Sequence, residues 1–176
     1  MLSFPTTHAI TGELIAATRS ADWRGHPLLL LIQDRPAAHP QVPDARHLRA
    51  TPIDLPDHLW TAHPGGVAGV LDDLAAGAVD PTRPVTHHDD FGPDARVVAL
   101  AVCYDDILTD PDTVSVAAIR RVDAVDTDGR VYQLSQLPHE QQALTLIDDE
   151  PDPGDTPATY SGLRGLLHAL GHQPAS

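Results

Sequence analysis

The sequence predicts an α+β protein, a mainly antiparallel sheet with helices packed on one face, and three stretches carry that prediction. Val97–Tyr104 is apolar throughout, as expected of a central strand. Ile119–Val125 and Arg130–Leu137 flank Asp126-Thr127-Asp128-Gly129, whose Asp-Gly pair supplies the positive-φ positions of a tight hairpin turn. Val67, Val70, Leu71, Leu74 and Ala75 recur at i, i+3, i+4, i+7 and i+8, one apolar stripe of a helix. Early helix and strand character followed by a run of strands is the order of an α+β domain.

The elements follow in order. Ile10, Leu14 and Ile15 suggest one or two helical turns, capped by Thr6 or Thr7, with Gly12 weakening the interior. Leu28–Ile32, bounded by Pro27 and Pro36, is a short apolar run between breakers and is expected to be a buried strand. Leu48–Ile53 is a second short strand. Pro56 suits the first position of a short helix through Trp60. The helix around Val67–Ala75 turns Asp72, Asp73 and Ala76 outward and stops at Gly77. Ala143–Ile147 adds a further strand after the hairpin. Leu163, Leu166, Leu167 and Leu170 form one face of a last helix that stops at Gly171.

These elements fit one domain over residues 1–176, with flexible loops at 36–46, 79–96 and 148–158 and a short tail at 172–176. A chain of this size buries roughly 70% of its extended surface and needs no disulfide or metal to hold it. Cys103 is the single cysteine, so no internal disulfide can form. The first residues lack a basic, apolar leader, and the apolar runs fall far short of the ~20 residues of a membrane helix. A soluble, cytoplasmic protein is expected.

Charge is the strongest global feature. There are 25 acidic residues against 11 basic ones, a net charge of −14, and every basic residue is Arg. The acids are nearly all Asp, in a chain rich in Ala, Pro and Arg, so coding bias accounts for part of the acidity. Such a field repels phosphate backbones and anionic lipid, which argues against nucleic acid binding through a broad basic face and against a membrane. It attracts and steers a basic protein partner. Protonating the eleven His residues would bring the chain close to neutrality.

The candidate sites are few. Asp105 and Asp106 follow the central strand, and Asp148, Asp149 and Glu150 follow the strand at 143–147. If those strands are neighbours, the two acidic pairs can share Mg²⁺ or Mn²⁺. His87-His88-Asp89-Asp90 is the densest run of metal-ligand types, although adjacent residues rarely suffice for a site. The hairpin loop resembles a calcium loop only in part. With Gly129 at its sixth position the first would be Ala124 and the twelfth Ser135, so a plain turn is preferred.

The glycines of His63-Pro64-Gly65-Gly66-Val67-Ala68-Gly69 precede a helix but match no phosphate-binding spacing, and no Lys is present. They are expected to ease a turn and close packing. Cys103 lies inside an apolar strand and is expected to pack. His168 and His172 stand i, i+4 near a helix C-terminus, where the dipole favours positive charge. No GxSxG, HExxH or CxxC pattern occurs.

Two functional expectations follow. The first is an acidic intracellular accessory protein without catalysis, a regulator, immunity protein or antitoxin that binds a partner protein, with homo-oligomerisation also compatible. The second is a small metal-dependent hydrolase or nuclease using Asp105, Asp106, Asp148 and Asp149 with His87 or His88. The first assumes that the carboxylates spread over a wet exterior and do not meet.

Overall fold

The computed structural model describes residues 1–19, 25–36, 46–77, 95–109, 116–137, 140 and 142–171. Among the described residues four helices and six strands make an α+β fold, as expected. The strands are β1 (Leu28–Pro36), β2 (Arg46–Ile53), β3 (Arg96–Thr109), β4 (Val116–Asp126), β5 (Val131–Gln136) and β6 (Leu144–Asp148). They form one antiparallel sheet in the order β2-β1-β3-β4-β5-β6. The central strand extends well beyond the apolar run because its far half pairs with β4, where Asp105 faces Arg120 and Thr109 faces Val116.

The hairpin turn is the one expected. Gly129 adopts φ +88°, and the Asp126 carboxylate accepts the N–H groups of Asp128 and Arg130, closing the turn from within. No calcium-loop geometry is needed to explain its acids.

The helices are α1 (Phe4–Arg19), α2 (Asp57–Ala62), α3 (Gly66–Ala75) and α4 (Tyr160–Gly171). They do not lie on one face of the sheet, as the sequence reading expected. Helix α1 seats Ile10, Leu14 and Ala17 on Leu30, Ala101, Cys103, Val122, Tyr132 and Leu134. The other three helices cover the opposite face, where Trp60, Val70, Leu71, Leu163 and Leu167 meet Leu29, Leu31, Leu100, Val102 and Val125. Side chains alternate across a strand, so a strand apolar at every position must be covered on both sides. Fully burying each aliphatic chain contributes roughly 1.5–3 kcal/mol.

Helix α1 is also longer than expected, because its buried stripe continues to Ala17. Its cap is Ser3, whose hydroxyl oxygen accepts the Thr6 N–H at 3.4 Å and whose carbonyl accepts those of Thr6 and Thr7. In β3, Val98 is an extra residue opposite the Ile32–Gln33 step. Val98 and Ala99 therefore face the same core, and the Val98 carbonyl accepts the Thr127 N–H at 3.0 Å.

No helix among the described residues is long and apolar enough to cross a membrane.

Candidate functional site: a cleft over a buried aspartate

Strand β4 carries a carboxylate where an aliphatic side chain would be ordinary. Asp123 lies between Val122 and Ala124 in sequence and opposite Val102 and Gln133 on its two neighbours. It is 0% exposed. Two hydroxyls donate to the same oxygen, Tyr104 from β3 and Thr159 from the turn before α4, each at 2.7 Å to Oδ2. Oδ1 has no hydrogen-bond partner. Removing a carboxylate from water is costly unless its lone pairs are filled, so a half-filled one is an exception that calls for an explanation.

Burial is the main influence on this carboxyl and pushes its pKa up. The Tyr104 and Thr159 hydrogen bonds, the Arg121 charge and the neighbouring Gln133 amide act against that rise. The same burial, with the Asp123 charge second, pushes the Tyr104 phenol up. Cys103, on the other face of β3, is pushed up to about 12, first by burial and then by Asp123. That thiol is fully buried and serves packing, as expected.

Tyr104, Gln133 and Thr159, which surround Asp123, also line a cleft of about 440 Å³. Val67 and Ala68 of α3 form one wall, and the 155–159 segment forms another. Asp105, Asp106 and Asp155 contribute carboxylates to the lining, and Arg121 contributes the one guanidinium among the described residues there. Arg121 Nη1 donates to Asp106 Oδ2 at 3.0 Å, while its Nε, also buried, has no partner. Thus an unfilled donor on a lining residue, Arg121, and an unfilled acceptor behind the lining, on Asp123, lie next to one acidic cleft. A concave site with a few converging polar groups and shifted ionisations is where ligand binding is expected.

No protein-family model, curated protein or solved structure matches this chain. The geometry alone carries the functional argument.

The acids read from sequence fall in different places. Asp105 and Asp106 line the cleft, whereas Asp149 pairs at 2.6 Å with Arg130, which follows the hairpin turn. Their strands are not neighbours, since β4 and β5 lie between β3 and β6. Asp148 is level with Val131, Val125 and Leu100, five residues back along β3 from Asp105. With a rise of about 3.4 Å per residue and strands about 4.8 Å apart, the two pairs stand roughly 20 Å from each other. Among the described residues no three His, Cys, Asp or Glu side chains are placed to hold one metal ion. His87 and His88, with Asp89 and Asp90, lie outside the described residues, as does His172.

The glycine-rich stretch before α3 holds a histidine. His63 Nδ1 accepts the Gly65 N–H at 3.0 Å, its Nε2 lies 3.1 Å from Asp73, and a Cβ at Gly69 would collide with the ring. Close approach to that ring accounts for Gly65 and Gly69, and a φ of +58° accounts for Gly66.

A second, wider hollow of about 750 Å³ separates the hairpin turn from α4 and is lined by Tyr160, Arg164 and His168 among others. The carboxylates behind it are engaged. Asp126 receives Arg130 Nη1 at 3.2 Å and the Tyr132 hydroxyl at 2.7 Å, and Asp128 receives Arg130 at 2.8 Å.

Asp123 was not singled out by the sequence reading, which placed the acids on the exterior. The signal was present: a carboxylate set among Val122, Ala124 and Val125 in the hairpin strand, at a position that must face a core.

Proposed function

We propose that the protein is a non-catalytic binding module whose cleft docks a basic side chain, best an arginine, of a partner protein. One observation carries the reading: the Asp123 carboxylate, shut behind the Tyr104, Gln133 and Thr159 side chains that line the cleft, keeps one oxygen unfilled. A guanidinium offers up to five donors in a plane and matches a carboxylate geometrically. Asp105, Asp106 and Asp155 would steer it inward, and Arg121, already held by Asp106, leaves the cleft net negative. The net charge of −14 extends the same attraction over the whole molecule.

The absence of a metal-ligand cluster does not enter this argument; what favours binding over catalysis is that the Tyr104 and Thr159 hydroxyls are already committed to Asp123. A group that must attack or transfer a proton to substrate needs to reach it.

The test is titration of the labelled protein with an arginine-containing peptide and its citrulline counterpart, followed by NMR. The arginine peptide is expected to shift the amides of residues 104, 121, 123 and 159, more strongly at low salt, and Asp123→Asn is expected to abolish the shifts. Equal shifts with citrulline, or shifts confined to other residues, would refute the reading.

A further inference from the structure

The two edges of the sheet are built differently. Edge β2 is guarded. It carries Arg46, Arg49 and Pro52, and its Ala50 N–H is taken by Glu13 of α1 at 3.1 Å. Arg46 also folds back onto Asp34 at 2.8 Å. Charged side chains, proline and side-chain capping are how an edge is kept from pairing with another chain.

Edge β6 carries no charge or proline over Leu144-Thr145-Leu146-Ile147, and no side chain among the described residues caps it. Leu144 is 77% exposed and Leu146 58%. Both share a face of the sheet with Gln133 and Ser135, their partners on β5. The backbone groups turned away from β5 have no strand partner among the described residues. A bare apolar edge is a template for one further strand.

Charge selects the occupant. Five carboxylates, Asp148, Asp149, Glu150, Asp152 and Asp155, follow within eight residues, and Arg130 engages Asp149 alone among them. A second copy of this chain would bring its own net −14 and no base over 140–150 to meet them. A lysine- or arginine-bearing strand would meet them directly.

We propose that β6 receives an extended segment of a partner protein that alternates apolar and basic residues, adding a seventh strand to the sheet. The proposal goes beyond the arginine cleft and does not require it, since the edge would pair whether or not the cleft is filled.

Panning a phage-displayed library of random peptides, about ten residues long to match ordinary strands, on the full chain tests it. Enriched peptides are expected to lack proline and to alternate aliphatic residues with Lys or Arg. On binding, the amides of residues 144–148 should become protected from hydrogen exchange. The double variant Leu144→Ser/Leu146→Ser should weaken binding by about tenfold or more, as loss of a central apolar anchor does. The matching change at other exposed apolar positions, Ile107→Ser/Leu108→Ser, should leave it unchanged.

Enrichment of acidic or proline-rich peptides, or equal weakening by both double variants, would overturn the proposal. So would protection of 144–148 before any peptide is added, which means the edge is already filled. Light scattering that shows a dimer broken by Leu144→Ser/Leu146→Ser would assign the edge to a second copy instead. Each of these outcomes leaves the arginine-peptide titration of the cleft standing or falling by itself.

Discussion

Asp123 and Asp126 lie on the same strand, three residues apart, and both are shut away from water, at 0% and 2% exposure. Their surroundings are opposite. Asp126 faces the α1 side, where Arg130, Tyr132 and two backbone N–H groups fill both of its oxygens. Asp123 faces the α4 side, where two hydroxyls crowd one oxygen and the other is left bare. A buried charge with a complete set of partners is a structural device, because losing one partner strands the other. A buried charge with an incomplete set is a cost to the fold, and such costs are found where something else is meant to bind.

The contrast can be broken first at Arg130. Replacing it by Met should destabilise the protein by about 3–5 kcal/mol, since Asp126 then keeps its burial and loses its cation. Urea unfolding measures this, and a loss below about 1 kcal/mol would mean that the hairpin end does not depend on that ion pair.

The two aspartates can be compared directly by amide substitution. Asp126→Asn puts a donor nitrogen against donors already in place and should cost about 2–3 kcal/mol. Asp123→Asn keeps an acceptor for the Tyr104 and Thr159 hydroxyls and removes an uncompensated charge. It should change stability by less than about 1 kcal/mol, and in the stabilising direction if it changes it at all. If the two variants lose stability equally, the cleft aspartate is as structural as its neighbour.

The smallest effect is in pH dependence. The folded-state pKa of Asp123 is raised by burial above the ordinary 3.8. The folded state therefore holds this proton where the unfolded state has released it, so stability falls as pH rises through the window above 3.8. Asp128 has the reverse sign. The Leu2 N–H and the Arg130 guanidinium hold it low, so its contribution is present above 3.8 and is lost as pH falls through its lowered value. Thermal unfolding as a function of pH should show a shallower decline above 3.8 in Asp123→Asn than in the unaltered chain. Superimposable profiles would mean that Asp123 titrates alike in the folded and unfolded chain, against a raised pKa.

Much of this molecule was legible from residue order. The hairpin at Asp126–Gly129, the stripe of α3, the short helix after Pro56 and the leucine face of α4 all stand where local patterns put them. The length of α1 was not legible, because Ala17 and Thr18 become interior only when the sheet is beneath them. The covering of both sheet faces was written in the unbroken apolar run of β3 and was missed by treating the helices as one layer. The acidic pairs at 105–106 and 148–149 were sound as local features. Their separation depended on strand order, which no local pattern encodes.

The chain's composition set its charge, and its periodicities set its helices and strands, because both act over a few neighbouring residues. The odd spacing of Asp123 and Asp126 even dictates that they point to opposite faces. What awaits each carboxylate there is another matter. Arg130 is four residues from Asp126 and arrives with the turn, whereas Tyr104 and Thr159 reach Asp123 from 19 and 36 residues away. Long-range packing alone brings those groups together, so the filled pair and the half-filled one become different only once the sheet has formed and α4 has closed over it.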